Sequence, residues 1–236
     1  MSDFIKIEKK NIKQVVFTGC GGMIAYYFGI ANFLQENYDL NDIIFGGVSG
    51  GSIVALFLNT KENIKNIKKY TDNICDSINN YNTGAVFNTL DILKNSLTEY
   101  IEDKKDNEFY KNLNNNFFVS ITEFYPRKKN ICYWDSNSDL IDSIIASCSL
   151  PLLGNNLINS YRNSYCIDGV FLNNYPILYQ ELPIYYITPF QFRKIINPAW
   201  FYIYGNKEWF DELCNIGYND AKNNKYELDK IFNKSI

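Results

Sequence analysis

Gly47-Val48-Ser49-Gly50-Gly51 is a GxSxG pentapeptide in a chain of 236 residues that contains no histidine. A serine with glycines on both sides suits acyl transfer. A nucleophile on a sharp strand-to-helix turn needs small neighbours at Gly47 and Gly51, because side chains there would collide with the tight backbone or the incoming acyl group. At the head of a helix, Ser49 also lies near orphan N–H groups and the positive end of the dipole, which favour the anion formed on acylation. The same pattern equally describes a glycine-rich βα turn with a helix-capping serine. The missing imidazole excludes a Ser-His-Asp triad, a Cys-His dyad, a Cys2His2 finger and an HExxH metal site. Any base must be a carboxylate or a lysine.

Gly19-Cys20-Gly21-Gly22 is the second constellation. Such a loop after a strand can cradle phosphate, but the third glycine of GxGxxG would fall where Ile24 stands, and no GxxxxGK-Ser/Thr segment exists. A mononucleotide-binding protein is the weaker alternative. Read as an oxyanion hole, the loop offers unhindered N–H groups, from Cys20 and Gly21, to a tetrahedral intermediate at the end of a neighbouring strand. Asp168, followed by Gly169, is the best-placed base, at the end of an apolar run and on the same edge of the sheet as the glycine-rich turns. With a reference pKa of about 3.9 it is a weak base unless its surroundings raise it. The simpler alternative is that Asp168-Gly169 is only a turn.

The elements that would position these groups follow from the apolar pattern. Gln14 to Thr18 reads as a buried strand and Met23 to Glu36 as a helix; Asp42 to Val48 reads as a second strand and Gly51 to Asn59 as a second helix. Two strand-turn-helix units in succession imply a parallel sheet. Lys61 to Lys111 reads as amphipathic helices with a loop at 79–89. Strands are expected at Phe117 to Phe124 and Asn130 to Trp134, with a polar turn at Pro126, and a capped helix at Ser138 to Ser147. Further strands are expected at Ser164 to Ile167, Ile184 to Thr188 and Phe201 to Tyr204, and a helical tail at 207–236. One three-layer α/β/α domain with a mostly parallel central sheet accounts for residues 1–236, with its core at about 13–206.

Composition narrows the partners. With 23 Lys and Arg against 26 Asp and Glu, the net charge of −3 gives no basic field for nucleic acid. The six cysteines, at 20, 75, 132, 148, 166 and 214, form no CxxC pair and read as reduced, mostly buried thiols. The charged start has no apolar signal segment, which points to a cytoplasmic protein. Residues 14–35 are uncharged and long enough to span a bilayer, yet Gly19, Gly21 and Gly22 punctuate them as strand, turn and helix. Asp135 to Asp139 imitates the start of a calcium loop, but Leu140 and Ala146 stand where glycine and glutamate are required, so it reads as a helix cap. Phe190-Gln191-Phe192 and Pro198 to Tyr202 read as buried strand residues in preference to a lipid-facing rim. No metal and no cofactor is implied.

Four ordered blocks resemble the patatin-like phospholipases, a family of Ser-Asp dyad acyl hydrolases without a catalytic histidine. They are FTGCGGMIAYYFGIANFLQE from Phe17, GVSGGS around Ser49, ASCSLPLL from Ala146, and Asp168-Gly169-Val170 with the downstream Leu172-Asn173-Asn174-Tyr175-Pro176. A weaker echo lies at Gly217 to Ala221. The resemblance covers nearly the whole chain. It implies Ser49 as nucleophile, Asp168 as base, Gly19, Cys20, Gly21 and Gly22 as the oxyanion loop, a lipid ester as substrate, and transient peripheral contact with a membrane. Met23 and Ile24 depart from the basic residue and glycine that usually end the family's loop, and Val170 replaces the commoner Gly or Ala after Asp-Gly. A catalytically silent lipid-binding or partner-binding relative is therefore the alternative.

Overall fold

The apolar run after the charged N-terminal stretch becomes β1 (Lys13–Phe17), whose side chains alternate between the sheet's two faces. Val15 and Phe17 enter a large core on one face, and Val16 a smaller one on the other. The computed structural model describes residues 13–80, 85–125, 127–151, 158–193, 196–202 and 205–234. A 3-10 turn at Gly21–Met23 leads into α1 (Ile24–Asn37), so the uncharged stretch divides into strand, turn and helix as its glycines predict. Among the described residues no helix is long and apolar enough to cross a membrane.

The short β2 (Tyr38–Asp39) precedes β3 (Ile43–Val48), which passes directly into α2 (Gly50–Asn59). Two longer helices follow, α3 (Lys68–Asn80) and α4 (Ala85–Asp103). They occupy both ends of the predicted 79–89 loop, whose residues 81–84 lie outside the described residues. Then come β4 (Phe117–Glu123), β5 (Arg127–Ile131) and α5 (Asn137–Ser147). β5 begins three residues before the expected Asn130, because antiparallel pairing with β4 draws Arg127, Lys128 and Lys129 into the ladder. Ser136 caps α5, its hydroxyl accepting from the Asp139 N–H, so the calcium-like segment is a helix start.

The chain closes with β6 (Asn159–Tyr161), β7 (Ser164–Asp168), the single turn α6 (Val170–Asn173), β8 (Ile184–Ile187), α7 (Lys207–Asn223), α8 (Lys225–Leu228) and β9 (Asn233–Lys234). The tail is thus not helical throughout, since β9 pairs with β2. The strand expected at Phe201 to Tyr204 is replaced at its start by a 3-10 turn over Pro198–Phe201, with the Asn197 side chain as cap; Ile203 and Tyr204 lie outside the described residues. α7 packs on α1 with backbone nearly touching backbone. A Cβ at Gly29 would stand 1.9 Å from the Cys214 carbonyl oxygen, and one at Gly217 would stand 2.0 Å from that of Tyr26.

The seven-stranded sheet has a parallel centre, β4-β3-β1-β8. Its larger core packs under α1, α2 and α5, and its other face is covered by a smaller cluster that includes Leu178, Leu182 and Tyr186. The register around β4 positions the site. Val119 to Glu123 pair antiparallel with β5 along one edge. β3 beside Phe117–Ser120 and β7 beside Ile121–Glu123 must therefore share the other edge. β3 and β7 run toward one another along that edge. Val48 is level with Ser120 and Asp168 with Ile121, so the two strand ends meet.

Candidate functional site

Ser49 is the residue at the end of β3, held at φ 53 and ψ −134. This left-handed conformation strains any residue with a Cβ, typically by about 1–3 kcal/mol, and persists only where the surroundings enforce it. They do so with hydrogen bonds. The Ser49 N–H donates to Ser147 Oγ at 2.9 Å, Ser147 Oγ donates to the Ser120 carbonyl at 2.6 Å, and the Ser52 N–H donates to the Ser49 carbonyl at 2.8 Å. The side chain makes no capping bond to α2, which sets aside the reading of Ser49 as a helix cap. Gly47 and Gly51 are required by space: a Cβ at Gly51 would stand 2.3 Å from the Phe17 carbonyl oxygen, and one at Gly47 would stand 2.3 Å from Ser52 Cα. The elbow is thereby pressed against the end of β1, where the glycine-rich loop starts.

Asp168 is fully buried opposite the elbow. Its Oδ1 accepts from the Val170 N–H at 2.9 Å, while Oδ2 is buried without a hydrogen-bond partner among the described residues. Burial pushes its carboxyl up to about 7, although the neighbouring Ser49 hydroxyl and the Val170 N–H pull the other way. The segment is more than a surface turn. Gly169 admits no side chain, since a Cβ there would stand 2.3 Å from the Ser120 carbonyl oxygen.

The Gly19–Gly22 loop closes over the elbow. A Cβ on Gly50 would meet Cys20 Sγ at 2.9 Å and the Gly21 carbonyl oxygen at 3.3 Å. Gly21 has φ +52, which turns the loop, and Gly22 lies against the Tyr202 carbonyl. The Gly19 N–H is already engaged, donating to Asn174 Oδ1 at 2.8 Å. Among the described residues no acceptor is recorded for the N–H groups of Cys20, Gly21 and Gly22, nor for that of Gly50. All four lie beside Ser49, as does the Gly51 N–H, which likewise has no acceptor among the described residues. The sequence reading did not single out Gly50 or Asn174 as site residues, although both stand inside motifs it quoted. Asn174→Ala, which removes the anchor of Gly19, is expected to lower kcat about tenfold with little change in KM. Steady-state kinetics on a soluble ester, with Asn174→Asp as the variant that keeps the acceptor, checks this.

A cavity of about 100 Å³ is lined by Ser49, Gly21 and Gly22 and by residues of α1, α2, α3, α4 and α7. Phe28, Ile53, Phe57, Ile78, Leu93 and Leu213 are among its apolar walls. No local sequence signal marks it, since each helix contributes only the inner face of its own apolar stripe. Cys20 and Cys148 flank the serine, and burial raises both thiols well above their ordinary range, so neither supplies a thiolate that competes with Ser49 at neutral pH. Phe190, Phe201 and Tyr202 are exposed rather than buried in strands, with the backbone of Phe201 and Tyr202 running beside Gly21 and Gly22, while Trp200 is buried and Phe192 packs partly against the core. Arg193 ties that segment to α7 through two bonds to Asp220, which also accepts from Tyr26. No cluster of three His, Cys, Asp or Glu side chains suited to a metal occurs among the described residues.

The fold and site define an α/β protein with a serine on a strand-to-helix elbow, beside a buried aspartate and a glycine-rich loop, in the lining of an apolar cavity. The chain belongs to the patatin-like phospholipase family, whose model matches residues 15–179. It is 28% identical over 209 residues to the human (Homo sapiens) patatin-like phospholipase domain-containing protein 4, covering 86% of this chain and 79% of that protein. Among solved structures it resembles VipD from Legionella pneumophila with a TM-score of 0.46 at 14% identity, over 75% of this chain and 49% of VipD, so it spans about half of that protein. Membership of the family supports a lipid hydrolase.

Proposed function

We propose that the protein hydrolyses carboxylic esters of phospholipids or related lipids through an acyl-serine intermediate. One observation carries the reading: Asp168, buried with a carboxylate oxygen that has no hydrogen-bond partner among the described residues and a pKa raised to about 7, sits beside the strained Ser49 in a chain without histidine. Asp168 takes the Ser49 proton as Oγ attacks the ester carbonyl. The resulting oxyanion is held by free N–H groups drawn from Cys20, Gly21, Gly22 and Gly50. Collapse of the intermediate expels the alcohol, which receives the proton from Asp168. A water, deprotonated by the same carboxylate, then attacks the acyl-serine; collapse of this second intermediate expels Ser49 Oγ, which takes the proton back from Asp168, and releases the fatty acid.

The cavity suits an acyl group of aliphatic character, because its walls offer apolar contact and Ser49 is part of its lining. Leu93→Trp narrows that cavity. We expect kcat/KM for a long-chain ester to fall about tenfold or more while a butyrate ester is turned over as before. A chain-length series of p-nitrophenyl esters measures the contrast. The reading itself is tested by fluorophosphonate labelling and a lipid-class hydrolysis panel, with Ser49→Ala as control. Equal labelling of the parent and Ser49→Ala proteins would reject Ser49. Lipid binding without hydrolysis of any panel member would favour a silent lipid-binding relative.

A further inference from the structure

Beyond the elbow the sheet continues as an antiparallel ribbon, β5-β4-β7-β6. Phe124 follows the end of β4, four residues past Ser120, which is level with Val48. At about 3.3 Å per residue it stands roughly 13 Å beyond the elbow, on the same end of the sheet. Its N–H donates to the Tyr165 carbonyl at 2.8 Å, joining the two strands there. Phe124, Tyr125 and Tyr165 are 65%, 79% and 67% exposed. Scattered apolar side chains on a surface need no explanation, but three aromatic rings gathered at one ribbon end make a patch. Arg127 and Lys128, at the start of β5, are also exposed, and neither has an ion-pair partner among the described residues, whereas Lys129 next to them is paired with Glu123. Two free positive charges beside exposed aromatic rings stand out in a chain of net charge −3.

We infer that this ribbon end docks the protein on anionic lipid bilayers. Phe124, Tyr125 and Tyr165 seat in the headgroup region, where amphipathic rings are favoured, and Arg127 and Lys128 meet lipid phosphates. An anchor that enters the headgroup and acyl boundary by about 5–10 Å leaves Ser49, roughly 13 Å behind it, just clear of the hydrocarbon. A lipid then has to rise only partway from the bilayer for its ester to meet the serine and its chain to enter the cavity. The inference rests on the reading of the site as a lipid acyl hydrolase for its purpose, but not for its test.

The test measures binding, without turnover, of the full-length Ser49→Ala protein to sedimented vesicles of phosphatidylcholine alone or mixed with phosphatidylglycerol. Binding is expected to the mixed vesicles, and to weaken as salt is raised. Arg127→Glu with Lys128→Glu should lower partitioning about thirtyfold or more, since each basic residue near an anionic surface is worth about fivefold. Phe124→Ser with Tyr125→Ser should lower it on both kinds of vesicle. Melting temperatures close to the parent's establish that the variants fold, and hydrolysis of a soluble ester in the Ser49 background should be unchanged. Equal binding to both vesicle types, unchanged binding by the folded variants, or no vesicle binding at all would overturn the inference, the last pointing to a protein partner instead. Vesicle binding with the expected losses, in a protein that cleaves no ester, would leave the docking surface standing and remove the hydrolase reading.

Discussion

Ser49→Ala is expected to lower lipid ester hydrolysis by at least about 10⁴-fold and to abolish fluorophosphonate labelling, because no other hydroxyl or thiol among the described residues stands on a strand-to-helix elbow beside Asp168. The nearest rivals, Cys20 and Cys148, are kept as thiols by burial. A second substitution at the same position separates chemistry from strain. Ser49 has φ 53, and the alanine variant retains a Cβ in that conformation, whereas Ser49→Gly does not. Both variants should be inactive, and Ser49→Gly should unfold at higher urea concentration than Ser49→Ala, by about 1–2 kcal/mol. Equal midpoints would mean that the elbow stores no strain.

Asp168→Asn is expected to lower kcat/KM about 10²- to 10⁴-fold, the range for loss of a general base. The parent enzyme should show an acid limb. Asp168 must be ionised to accept a proton, so kcat/KM should rise tenfold per pH unit below about 7 and level off above it. With no imidazole in the chain, a transition there reports a carboxylate or the lipid. The same burial has an opposite consequence for stability. Because the folded pKa lies above the unfolded value of about 3.9, the native state holds more protons than the unfolded state between about pH 4 and pH 7. Stability is therefore fully present below that window and declines as pH rises through it, by about 4 kcal/mol in total. Asp168→Asn removes this slope, so it should be more stable than the parent at pH 8, and the gap should narrow by well over half at pH 5 and close near pH 4. Urea unfolding at these pH values measures it, and a gap that did not change with pH would place the Asp168 carboxyl outside a buried environment.

Much of the fold was legible because strand and helix periods leave a local trace. The run from Gln14 to Thr18 and the glycines after it mark a strand and a turn without reference to any other part of the chain. Misreadings occurred where a partner overrode the local pattern. Arg127 to Lys129 carry the composition of a turn and pair as strand because β4 lies beside them. Phe190, Phe201 and Tyr202 carry the composition of a core and lie on the surface, where their segment runs past the glycine-rich loop.

By itself the sequence determined which chemistry was possible. Without histidine the base beside a GxSxG serine had to be sought among carboxylates and lysines, and two glycine-rich turns could follow two strands. Those are properties of residue type and near-neighbour spacing, which short-range sterics enforce. The tertiary structure alone decided that β3 and β7 meet end to end along β4, bringing Ser49 and Asp168 together from positions 119 residues apart. It also set the burial that lifts Asp168 to about 7 and assembled the cavity from five helices. Register, desolvation and enclosed volume arise from contacts between distant segments, and such contacts have no signature in the order of neighbouring residues.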